Sequence, residues 1–139
     1  MRQELTELVV HTRGRRLYEF THELLPWIRE TGIRKGLLTL YVRHTSASLL
    51  IQENADPDVR EDLERYFARV VPDGDAIYQH TLEGPDDMPA HVRTALTVVT
   101  LSVPFRDRHM MLGTWQGIYL WEHRTASHCR LVAVHLLGE

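Results

Sequence analysis

Apolar positions along the chain recur with two periods, and each change of period marks a new element. Leu5 to His11 and Arg16 to Phe20 are rich in strand-forming residues around Arg13-Gly14, which predicts an opening hairpin. Behind Thr21 as a cap, Leu24, Leu25 and Ile28 form a helical stripe that Gly32 stops. Leu37 to Arg43 alternates, with Leu38, Leu40 and Val42 on one face and Leu37, Thr39 and Tyr41 on the other. An extended His44 to Gln52 would align His44, Ser46 and Ser48. Asp56-Pro57 is a strong helix start, followed by Val59, Leu63, Phe67 and Val70 at helical spacing. Thr97 to Val103 predicts a β-branched strand stopped by Pro104, with a hairpin loop over Phe105 to His109. From Gly117, alternation separates Tyr119, Trp121 and His123 from Ile118, Leu120, Glu122 and Arg124. Cys129 to Leu137 closes as a strand with its cysteine expected to be buried.

Six or seven strands against three helices predict a single α+β domain over residues 1–139 with a large, mostly antiparallel mixed sheet. Both sheet faces are largely apolar and the helices are too few to cover them, which points to oligomerisation.

Composition narrows the classes of function. The chain has 139 residues, 43% hydrophobic and 25% charged, with a net charge of -3 and 16 basic residues that form no cluster. A nucleic-acid partner is therefore not expected. One cysteine allows no internal disulfide, and the polar opening lacks a signal-peptide layout, so a cytoplasmic location is expected. No apolar run nears the roughly 18 residues of a spanning helix, so no membrane partner is expected. Nine histidines is the unusual count, and it directs attention to metal chemistry.

The stretch His80 to His91, H-T-L-E-G-P-D-D-M-P-A-H, is too polar for core. Gly84-Pro85 predicts a turn, after which Asp87 could cap a new helix with Pro89 in its first turn. Asp87 and His91 would then stand on neighbouring turns, and His80 and Glu83 on the incoming loop could converge with them on one metal ion or substrate. Singly, each of these groups is as well explained by capping or solvation, and the case rests on their accumulation. Glu53 and Asn54 precede a helix start, a favoured place for polar contact with a ligand. Ser46 and Ser48 could hold phosphate oxygens or equally satisfy backbone groups.

Three blocks, H-T-S-A-S-L with E-N-A-D-P-D-V at 44–59, H-T-L-E-G-P-D-D-M-P-A-H at 80–91 and L-G-T-W-Q-G-I-Y-L-W-E-H-R at 112–124, together closely resemble the YjbQ family. Its members are often labelled secondary thiamine-phosphate synthases. The resemblance covers nearly the whole chain and implies the family's own α+β fold, a homotrimer and a polar cleft holding a metal. The activity implied is joining a pyrimidine methyl diphosphate to a thiazole phosphate with loss of diphosphate. One departure stands out: Asp107-Arg108 replaces the family's usual Asp-Gly.

Two functions compete. In the first, a metal-assisted enzyme acts on a phosphorylated small molecule. His44, His80 and His91 are its metal ligands, zinc preferred over magnesium because imidazole suits it. Glu53, Asp87, Glu122 and His123 supply acid or base, and Ser46, Ser48, Asn54 and Arg124 contact substrate. In the second, the chain is a non-catalytic homotrimeric binding or scaffold protein whose polar residues satisfy buried backbone.

Overall fold

A computed structural model describes residues 1–139. Eight strands and three α-helices follow one another as β1 Arg2–His11, β2 Arg16–Glu19, α1 Leu25–Thr31, β3 Gly36–Val42, β4 Ala47–Glu53, α2 Pro57–Val70, α3 Asp87–Leu96, β5 Thr100–Arg106, β6 His109–Met110, β7 Gln116–Glu122 and β8 Cys129–Gly138. A short 3-10 turn, His22–Leu24, leads into α1.

The strands form a five-stranded sheet, β1-β8-β3-β5-β6, and a three-stranded sheet, β2-β7-β4, and every pairing is antiparallel. An isolated bridge between Leu49 and Val98 joins the two, so the α+β fold is built on one curled antiparallel surface. No parallel pair makes it a mixed sheet.

The main core lies between the sheets. Leu38, Leu40 and Val42 of β3, Val103 and Phe105 of β5, and Val132, Val134 and Leu136 of β8 face Leu49, Ile118 and Leu120 across it, with Leu24 and Ile28 closing one end. On the other face of β7, Tyr119 and Trp121 pack with Leu17 under Leu63 and Phe67 of α2. Strand β7 is thus buried on both sides, as its alternation without a polar face required. Gly36 and Gly138 lie opposite each other, and a side chain on either would strike the other strand's backbone, at 1.9 Å from Leu137 O or 2.0 Å from Lys35 O.

Several local expectations hold. Asp56 caps α2 by accepting from Asp58 N at 2.9 Å, and Gly32 ends α1 with a left-handed φ of 71°.

Others are corrected. The opening segments are not a hairpin, because β1 pairs with β8 and β2 with β7; the turn at Gly14 carries the chain from one sheet to the other. Thr21 makes no cap bond and instead accepts from Ile118 N at 2.8 Å. His44 precedes β4 rather than lying on it. Pro104 lies inside β5, where its carbonyl accepts from Met111 N at 2.8 Å just past the end of β6. Cys129 is exposed, its sulfur 3.2 Å from His11 Nδ1, because the inward set on β8 is Arg130, Val132, Val134 and Leu136.

Candidate functional site

The turn expected at Gly84-Pro85 delivers Asp87 as the first residue of α3. Neither Asp86 nor Asp87 caps that helix: no side-chain cap bond is made. Both carboxylates are drawn away by Arg124, two residues past the end of β7. Its Nε donates to Asp86 Oδ2 at 2.9 Å, its Nη2 to the Glu83 carbonyl at 2.9 Å, and its Nη1 lies 2.8 Å from Asp87 Oδ1. Asp86 also accepts from Thr125 N at 2.9 Å.

The other oxygen of Asp87 faces two histidines. His80 Nε2 is 2.6 Å from Oδ2, and His91, four residues further along the helix and so on the same face, brings Nε2 to 3.3 Å. One ligand atom from each of His80, Asp87 and His91 lies within 4.8 Å of the others. His91 Nδ1 is 3.1 Å from the Thr45 carbonyl, a contact that places the proton on Nδ1 and leaves Nε2 as a lone-pair donor. The aspartate is buried while both imidazoles are partly exposed, so the group opens to solvent on one side.

Behind this group lies a second, buried network. Glu122 accepts from Thr12 Oγ1 at 2.7 Å and from Arg130 Nε at 2.9 Å, and Arg130 Nη2 also bonds its second oxygen. Arg130 Nη2 donates to Ser46 Oγ at 3.0 Å, and Ser46 Oγ lies 2.9 Å from His44 Nδ1. His128 Nδ1 stands 3.4 Å from Glu122.

His123 points to the opposite side of β7, fully buried, with Nε2 2.8 Å from Ser48 Oγ. The alternation read from the sequence had separated Glu122 from His123 in this way.

Charge organises the site. Asp86 is held down to about 2: burial alone would raise it, and the hydrogen bond from Arg124, the bond from Thr125 N and the Arg124 charge outweigh that. Asp87 is likewise lowered, against its burial, by the His80 bond and the Arg124 charge. His44 is lowered by burial and then by Arg130. Asp86, Asp87 and Glu122 face two arginines, Arg124 and Arg130, which leaves an excess of negative charge.

The expected residues therefore divide. His80, Asp87, His91 and Arg124 are together. His44 stands nearby but bonds Ser46 and lies outside the three-ligand group. Ser46, Ser48, Glu122 and His123 are buried and bonded within the protein. Glu53 and Asn54 lie at the far end of β4, opposite Gln116, about 20 Å away for a seven-residue strand; Asn54 Nδ2 donates to Glu19 at 3.2 Å. Asp86, Thr12, His128 and Arg130 were not anticipated. Arg130 had left a signal, an arginine in phase with Val132 and Val134 on the inward face of a strand.

Known proteins share this arrangement of sequence and fold. A family model described as UPF0047 protein YjbQ-like matches residues 6–139. The UPF0047 protein sll1880 of Synechocystis is 49% identical over 138 residues, covering 99% of this chain and 94% of its own. YjbQ of Salmonella typhimurium is 49% identical over 107 residues, 77% of each chain. Among solved structures, a YjbQ/UPF0047 family protein of Clostridium acetobutylicum superposes with a TM-score of 0.86 at 29% identity, over 95% of this chain and 99% of that one. A hypothetical protein of Aeropyrum pernix gives 0.87 at 27% identity, over 98% and 99%. With the match running from β1 to β8, this chain belongs to the YjbQ-like UPF0047 family.

Proposed function

We propose that the chain is a metal-assisted enzyme acting on a small molecule, with His80, Asp87 and His91 as the residues that hold a divalent cation. The observation that carries this reading is the convergence of two imidazole nitrogens and one carboxylate oxygen within 4.8 Å. The donor set fits the group: two nitrogens with one oxygen suit zinc better than magnesium, which prefers oxygen throughout. The surplus of buried carboxylate favours a cation. A bound cation would supply Lewis-acid polarisation or an activated water.

The chain's own residues account for orientation. Arg124 fixes the Asp87 carboxylate, and Thr45 fixes the His91 ring. His44 is bonded to Ser46 and His128 stands 3.4 Å from Glu122, so both belong to the network around Glu122 and not to the group that would hold the cation.

A phosphorylated substrate, including the diphosphate of a thiamine-phosphate synthase-like transfer, remains part of the proposal in a restricted form. Arg124 and Arg130 are both engaged by carboxylates, so phosphate oxygens would depend on the cation and the imidazoles.

Metal analysis of protein purified without a tag tests the reading, together with melting temperatures in added zinc or magnesium. Bound zinc lost in His91→Ala is expected. No metal and no shift with either ion overturns it.

A second reading, a homotrimeric scaffold, is favoured by one observation. The outer face of the five-stranded sheet carries exposed Leu5, Val9, Leu37, Tyr41, Leu131 and Leu137, a bare apolar surface of the kind that marks an interface. That face bears on assembly alone, because His80, Asp87 and His91 are on other elements; an assembly without bound metal would favour this non-catalytic reading over the first.

A further inference from the structure

Strand β2 is an edge of the three-stranded sheet, paired with β7 on one side alone. Phe20 N donates to Ile118 O at 2.9 Å, and alternation along the antiparallel register makes Tyr18 and Arg16 the other residues bonded to β7. The backbone N–H and C=O groups of Leu17 and Glu19 therefore face outward, and no other element meets them.

Along that edge runs a cavity of about 660 Å³, a size suited to a bound ligand. Its walls are all four residues of β2 and Pro57, Arg60, Glu61, Glu64, Arg65 and Ala68, one face of α2 at helical spacing. Consecutive strand residues point to opposite faces of a sheet, so a cavity touched by all four lies beside the backbone edge and not on one face. Helix α2 flanks this edge without sealing it. The groove has the length of a short strand: the four residues of β2 span roughly 13 Å and the α2 face from Pro57 to Ala68 about 16 Å.

Charge selects the occupant. Arg65 is held by Asp62 at 2.7 Å and Glu61 at 3.4 Å, and Glu64 by Arg93 at 2.5 Å. Glu19 turns its carboxylate to Thr21 Oγ1 at 2.9 Å and Asn54 Nδ2 at 3.2 Å. Arg16 and Arg60 pair with no carboxylate: the first lies over the Tyr18 ring at 5.0 Å, and the second donates to Tyr119 OH at 3.1 Å. Two guanidinium groups are thus free to take carboxylates.

We infer that this groove binds an extended acidic peptide segment of a partner protein as an added strand on β2. Its main chain bonds the outward groups of Leu17 and Glu19, and its acidic side chains meet Arg16 and Arg60. None of these residues belongs to the His80 group, so the inference stands apart from the metal reading.

Affinity selection from a displayed library of random octapeptides against the full chain, followed by amide hydrogen exchange of β2, tests this. In the free chain the Leu17 and Glu19 amides should exchange freely while that of Phe20 is protected. The selected peptides should be acidic, should protect those two amides on binding, and should bind Arg16→Glu and Arg60→Glu about tenfold more weakly. Selection of no peptide, of neutral or basic ones, or of peptides that leave the two amides exposed or bind the variants as tightly overturns the inference. So does protection in the free chain: independent of concentration it means that α2 covers the edge, and rising with concentration that a second copy does. If Arg60→Glu does not fold, Arg16→Glu, at an exposed residue, decides.

Discussion

Arg124 and Asp87 share one carboxylate unequally: the guanidinium holds Oδ1 at 2.8 Å, which leaves Oδ2 turned toward His80 at 2.6 Å and His91 at 3.3 Å. All three nitrogens of that guanidinium are in use. A lysine offers one point charge on a flexible stem and cannot reach three acceptors in fork geometry. Arg124→Lys is expected to cost on the order of 2 kcal/mol of stability and, if the group holds zinc as proposed, to weaken its binding about 10–100-fold. Chemical denaturation and a zinc titration measure the two effects. Unaltered zinc affinity in the folded variant would show that the arginine does not orient the carboxylate.

His123 should govern stability in mild acid. Burial first, and then Arg93, Arg15 and Arg130, lower its pKa from 6.5 to about 3. The folded value lies below the unfolded one, so the unfolded chain takes up the proton first as pH falls. Stability is complete above 6.5 and declines between 6.5 and about 3, by up to about 1.4 kcal/mol per pH unit. Asp86 adds a loss only lower, between 3.8 and about 2. Urea midpoints of wild type and His123→Gln from neutral pH downward should differ in slope by close to one proton. Equal slopes would mean that the imidazole is not buried neutral.

The hairpin between β5 and β6 has a turn residue to improve. Arg106 pairs with His109, and Asp107 and Arg108 between them have φ of 53° and 66°. Two positive φ angles define the turn in which glycine is favoured at the second position. Arg108→Gly should raise stability by about 0.5–1 kcal/mol, read from thermal melts. A loss would indicate that the arginine side chain makes a contact worth more than the strain.

The outer sheet face can be tested by charge. Leu131 lies opposite Val9 toward one end of the β1–β8 pairing and is exposed. Leu131→Glu should shift the protein toward monomer in sedimentation analysis while leaving the monomer folded, if that face joins copies. An assembly unchanged in mass would place the interface elsewhere.

What could be read from the sequence was what is decided locally. Helix α2 was legible because Asp56-Pro57 fixes its start and Val59, Leu63 and Phe67 its half-buried side, although Val70 of the same stripe is exposed. The meeting of His80, Asp87 and His91 was legible because they fall in one short stretch, whereas His44, expected as a metal ligand, and Glu83, expected to converge with them, lie outside the group. Pairing was not: Thr12 meets His128 at a separation of 116 residues, and nothing near Gly14 signals that β2 leaves the sheet of β1. Local rules also lost to distant charges. Asp87 had the position of a capping residue, yet Arg124 and two histidines claim its oxygens. Ser46 and Ser48 were undecided between ligand and fold, and a buried arginine and a buried histidine account for both.

The pairing of β1 with β8, from Arg2 with Gly138 to His11 with Cys129, has a consequence for biosynthesis. The first strand emerges from the ribosome long before its only sheet neighbour exists. Until the last strand is made, ten residues of β-forming chain wait with their backbone unmatched, and the closing step joins segments more than a hundred residues apart. Self-association of the nascent protein should therefore be greatest just before synthesis reaches Cys129.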